Sequence, residues 1–105
     1  MGTKKSLIKD LAQFKKNLNK KIAVSKVIFF GSHATGKPKK DSDIDLLIVS
    51  KDFKQKKFRE RPLGFYQYWN LDYPVDFLCY TPEEFKKLKN QITIVREAVE
   101  HGVEI

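Results

Sequence analysis

Three carboxylates and one glycine-serine pair carry most of the chemistry in this sequence. Gly31-Ser32 is followed, after ten residues, by Asp43-Ile44-Asp45, and Asp76 stands near the start of a later apolar run. Side chains two apart on a strand project to the same face, which sets Asp43 and Asp45 together, roughly 6 to 7 Å apart along the chain. Two carboxylates so placed repel each other unless a cation lies between them. Mg2+ suits the position because it prefers oxygen ligands and is held by one or two carboxylates plus the phosphates of a substrate; Mn2+ is the alternative ion. Asp76, on a neighbouring strand, supplies a third ligand. Three acids meeting at strand ends suit a two-metal site, in which one ion activates a hydroxyl and the other neutralises a departing pyrophosphate. Gly31 lets backbone approach a ligand without a Cβ, and the amides and hydroxyl of the turn at Ser32 can donate to β- and γ-phosphates.

An isolated Asp-x-Asp is weak, since paired acids ahead of a strand are mostly turn residues. The strength lies in the combination of apolar strand, Gly-Ser, fixed gap, second strand and third acid. Asp72 competes with Asp76 for the third place, and Asp76 is preferred because it lies inside the strand pattern. Asp41 and Ser42 read as turn residues that bond nearby amides. His33 reads as an exposed loop histidine, while Lys37, Lys39 and Lys40 either steer a triphosphate or form a solvated loop. Phe65, Tyr66, Tyr68, Trp69 and Tyr73 read first as core and second as a contact surface, with Arg59 and Arg61 beside them leaning toward an interface.

The positioning elements are legible around these residues. Leu7, Ile8, Leu11, Phe14, Leu18 and Ile22 recur at helical spacing, which predicts an amphipathic helix over 4–22. Buried strands are expected at 24–30 and 44–49, the second of them central, and a third at 75–80. The stretch 51–72 predicts helical pieces interrupted at Pro62-Leu63-Gly64. Thr81-Pro82-Glu83-Glu84 has the form of a capping box opening a helix. That helix carries Phe85, Leu88, Ile92, Val95 and Val99 inward, breaks near Asn90 and closes at His101-Gly102, with a short edge strand after it. The order describes a small α/β domain, read as a single domain over 1–105.

Composition bounds the rest. With 105 residues and 41% hydrophobic content, one core can be built and two cannot. A net charge of +8 attracts phosphates, nucleic acid or an acidic protein surface, without choosing among them. Lone Cys79 excludes an internal disulfide, fits a cytoplasmic setting and reads as a small packed hydrophobe. No apolar stretch is long enough to suggest a membrane span.

The run GSHATGKPKKDSDIDLLIV resembles the signature of the minimal nucleotidyltransferase family of the DNA polymerase β-like superfamily: Gly-Ser, ten residues, Asp-x-Asp. The likeness extends to VDFLCY with its acid and to the closing helix, and it implies the polymerase β-like fold, a small mixed β-sheet flanked by helices. It implies transfer of a nucleoside monophosphate, with AMP from ATP the first choice, an NTP substrate, Mg2+ as cofactor, and Asp43, Asp45 and Asp76 as catalytic metal ligands beside Gly31 and Ser32. Some relatives are antitoxins that silence an all-helical HEPN ribonuclease by AMP transfer to a tyrosine, so the resemblance implies a HEPN-type partner. A chain this short must borrow its acceptor surface, from another protein or from its own oligomer. Transfer to RNA or a small molecule, and a non-catalytic module that masks a partner, are the alternatives; no base-reading motif favours nucleic acid as the partner.

Overall fold

Leu7, Leu11, Phe14 and Leu18 form one buried stripe along α1 (Lys4–Leu18) in the computed structural model, which describes residues 4–36 and 42–105. The helix ends four residues before the spacing of apolar residues does. Lys21 and Ile22 both donate to the Leu18 carbonyl, and the Asn19 side chain accepts from the amide of Val24. This tight turn swings the chain into the sheet while Ile22 still packs on the core.

The sheet has four strands in the order β3-β2-β1-β4, formed by β1 (Val24–Phe30), β2 (Ile44–Ser50), β3 (Val75–Tyr80) and β4 (Val103–Glu104). β1 runs antiparallel to β2 and β4, while β2 and β3 are parallel. The mixed sheet is as the resemblance implies, and the central β2 and the short edge strand are as the sequence pattern predicts. Alternation along β2 divides the core. Ile44, Leu46 and Ile48 join the α1 side, whereas Leu47 and Val49 pack with Phe85, Val95 and Ala98 on the other face.

The predicted loop after β1 contains a single helical turn, α2 (Ser32–Thr35), whose Ala34 is buried. The basic and aromatic segment forms three short 3-10 helices, Lys51–Phe53, Phe58–Glu60 and Phe65–Tyr68. Its aromatics are mostly core: Phe14 meets Trp69 edge-on at 5.4 Å and stacks on Phe77 at 5.6 Å. Phe65 is buried, and Tyr68, Trp69 and Tyr73 pack partly buried against the same cluster, so among these five Tyr66 is the exposed one. Cys79 is buried as expected, and burial pushes its thiol up to about 12, which keeps it protonated and unreactive at neutral pH.

The expected capping box opens α3 (Pro82–Leu88), with Thr81 accepting from the Glu84 amide and Glu84 accepting from the Thr81 amide. Thr93 caps a separate α4 (Ile94–His101), so the break near Asn90 is a full turn. Ile92 falls in that turn and is 96% exposed, and Val99 is also exposed; Ala98 takes the inward place with Val95. Gly102 closes α4 in an extended conformation, and the position admits no side chain because a Cβ there would overlap the Ala98 carbonyl and Ile28 Cγ2.

Arg61 is part of this framework rather than of an interface. It is buried, donates to the carbonyls of Lys56 and Cys79, and forms a forked pair with Glu84 at 2.6 and 3.3 Å. The fork joins the segment after β2 to the start of α3. Arg61→Ala is expected to lower stability by about 2–3 kcal/mol in urea unfolding, less than a fully buried pair because Glu84 is partly exposed. Arg61→Lys should recover only part of the loss, since an ammonium group cannot fork. The Arg61 side chain, the largest cause, holds Glu84 below the usual carboxylate range. A lowered acid stabilises the fold fully at neutral pH and loses that contribution as pH falls through the lowered value. Stability of the Arg61→Ala protein should therefore fall less on acidification than that of the parent.

Candidate active site

Register brings the predicted residues to one end of the sheet. Phe30, the last residue of β1, lies opposite Asp45 on β2, so Gly31 follows directly beside that carboxylate. Asp45 in turn is in parallel register with Asp76 on β3. Asp45 and Asp76 share the sheet face of Leu47, Leu78 and Tyr80, and Asp43 stands two residues ahead of Asp45 at the exposed mouth of β2.

Asp45 is the hub. Its pKa is raised, first by partial burial and then by the negative charges of Asp76 and Asp43, with the nearby His33 pulling it the other way. Asp43 and Asp76 lie close enough for their charges to oppose ionisation of Asp45. Asp43 and Asp76 are exposed, whereas Asp45 is half-buried. Asp72 lies in the loop before β3, on the wall of a separate groove.

Gly31 has φ 84° and ψ −165°, a region open essentially to glycine alone. A Cβ built there would overlap Asp45 Oδ2 and stand 3.1 Å from Asp45 Cγ. The absence of a side chain thus admits the carboxylate as well as the turn. Ala34 and Thr35 donate to the Gly31 carbonyl at 3.1 Å, so the amides of Ser32 and His33 lie ahead of the first donors of α2.

His33 is more than the loop histidine that its surroundings in the sequence suggest. Its Nε2 lies 2.9 Å from the Ser42 carbonyl, to which it donates, and its ring meets Tyr73 edge-on at 5.4 Å. One side chain therefore joins the turn after β1, the entry to β2 and the loop leading to β3. The sequence offers one signal for this, its place directly after Gly31-Ser32. Asp41, Lys37, Lys39 and Lys40 lie outside the described residues.

This arrangement pairs a glycine turn with carboxylates on two adjacent strands, and the model for the nucleotidyltransferase domain matches residues 11–101. The chain belongs to the nucleotidyltransferase domain family. It is 28% identical over 101 residues to a Methanocaldococcus jannaschii protein named as a candidate protein adenylyltransferase, covering 94% of this chain and 98% of that one. The crystal structure of a candidate nucleotidyltransferase from Sulfolobus solfataricus shares the fold, with TM-score 0.53 and 22% identity over 99% of this chain and 87% of that one. As a nucleotidyltransferase, the protein joins a nucleoside monophosphate from an NTP to an acceptor hydroxyl and releases pyrophosphate. None of its helices, among the described residues, is long and apolar enough to cross a membrane.

The donor set can be tested against a metal. Among the described residues no three His, Cys, Asp or Glu side chains are gathered tightly enough to hold an ion by themselves. Mg2+ asks for less, one or two carboxylates with the remaining places filled by water and phosphate oxygens. The like charges of Asp43 and Asp45 fit a cation that arrives with a triphosphate.

Proposed function

We propose that the protein transfers AMP from ATP, with Mg2+, to a hydroxyl on a partner protein, and that a HEPN-type toxin is the partner to test first. One observation carries the reading: the Asp45 carboxylate is held against Gly31 and opposed by Asp43 and Asp76 on the same sheet end. Clustered like charges cost stability, and a cation-bound substrate is what such a cluster fits. The name of the Methanocaldococcus relative supports protein as acceptor and adenylyl as the group.

In this mechanism the Gly31-Ser32 turn donates its amides and the Ser32 hydroxyl to the phosphates of ATP. Asp43 and Asp45 would hold Mg2+, which when bound would neutralise the triphosphate charge. Asp76 accepts the proton of the acceptor hydroxyl. The hydroxyl oxygen then attacks the α-phosphorus, the bond from that phosphorus to the bridging oxygen breaks, and pyrophosphate leaves with the electron pair. Most of the acceleration comes from orientation and charge placement.

The test is transfer from ATP labelled at the α or at the γ position, with Mg2+, to a co-expressed HEPN-type protein. Label retained on the protein from the α position alone is the expected result. Equal retention from both positions, or none from either, would overturn the reading.

A further inference from the structure

Between α1 and the loop before β3 lies a groove of about 780 Å3. Its walls include Asp10, Phe14 and Asn17 on the helix and Tyr68, Asp72 and Tyr73 opposite. Tyr73 connects it to the site, since the same ring that lines the groove meets His33, one residue after Ser32. The charge of this groove runs against that of the molecule. The chain carries a net +8, yet among the described residues that line the groove the charged ones are Asp10 and Asp72, and no Lys, Arg or His lines it.

That inversion narrows the occupant. A triphosphate or a nucleic-acid backbone would meet two carboxylates without a compensating cation, and the basic face that phosphate binding requires is missing here. A lysine or arginine would find a carboxylate on either wall for its head and aromatic rings for its stem. The volume suits a few side chains of an extended segment.

We propose that this groove receives the flank of the polypeptide segment that carries the acceptor hydroxyl, with Asp10 and Asp72 selecting basic residues in that flank. The acceptor role rests on the transfer reading above; the basic selectivity does not. The groove opens on the α1 side of the sheet and the acids face the other side, so the segment passes from one to the other around the sheet end where Tyr73 meets His33.

The test uses a positional-scanning set of short tyrosine-centred peptides, with binding measured in the absence of nucleotide. The parent protein should prefer Lys or Arg in the flanks. The double variant Asp10→Asn/Asp72→Asn should lose about tenfold in affinity for those peptides, the scale of two partly screened ion pairs. The reversal Asp10→Lys/Asp72→Lys should turn the preference toward Glu and Asp, a gain that an unfolded protein cannot show. No basic preference in the parent, an unaltered preference in either variant, or displacement of the peptide by single-stranded RNA would each overturn the proposal. Labelling from α-labelled ATP without basic preference sinks the groove alone. Basic preference without any labelling keeps the groove as a basic-peptide site and overturns its acceptor role.

Discussion

Asp45→Asn is expected to lower nucleotidyl transfer by roughly a thousandfold or more while leaving the protein as stable as its parent or more so. The loss follows from removing the central charge of the site; placing charge against a developing phosphoryl transition state contributes several kcal/mol, and each 1.4 kcal/mol is about tenfold in rate. The gain in stability follows from the same geometry. Burial and the charges of Asp76 and Asp43 raise the pKa of Asp45, so the fold holds its proton more tightly than the unfolded chain does. An acid raised in this way weakens the fold progressively as pH climbs from the ordinary carboxylate range through the raised value, and the full cost is present above that value. Asparagine keeps the shape and removes the charge.

Two melting curves separate this from simple loss of structure. In chelator-treated buffer at neutral pH, the Asp45→Asn protein should melt at or above the parent temperature, with the difference shrinking as the pH is lowered. On addition of Mg2+ and ATP, the parent should gain stability by mass action and the variant should gain little. A variant that retained full transfer, or one that melted well below the parent at neutral pH, would contradict the role assigned to Asp45.

What could be read from the sequence divides along a physical line. The strands, the capping box at Thr81 and the acids at 43, 45 and 76 were legible because each depends on local pattern: apolar runs, alternation, a known cap. The register that places Asp45 opposite Phe30 and beside Asp76 is a tertiary fact, although the position of the acids at strand starts foreshadowed it. The structural role of Arg61, which beside Arg59 only leans toward an interface in the sequence, is hidden there because its partners at Cys79 and Glu84 are eighteen and twenty-three positions away. Ile92 was misplaced because helical spacing continued through a turn that Thr93 interrupts by capping a new helix. His33 looked like a loop residue because its three-way connection uses a backbone carbonyl and a distant ring, neither of which leaves a trace in sequence.

Gly31→Ala should be the second most damaging single change, and its cost should depend on Asp45. Two separate penalties act at this position. The backbone conformation is one that a Cβ strains by about 1–3 kcal/mol. The added carbon also occupies the place of Asp45 Oδ2, so the carboxylate must turn away or β1 and β2 must separate at that end. A displaced carboxylate of about an ångström is enough to cost roughly a hundredfold in transfer. A double-mutant cycle resolves the two penalties. In an Asp45→Ala background the overlap is gone and the backbone strain remains, so Gly31→Ala should destabilise that protein less than it destabilises the parent. Equal destabilisation in both backgrounds would mean that the carboxylate is not held against the turn, and the site would then need to be rebuilt around a different approach of Asp45 to Gly31.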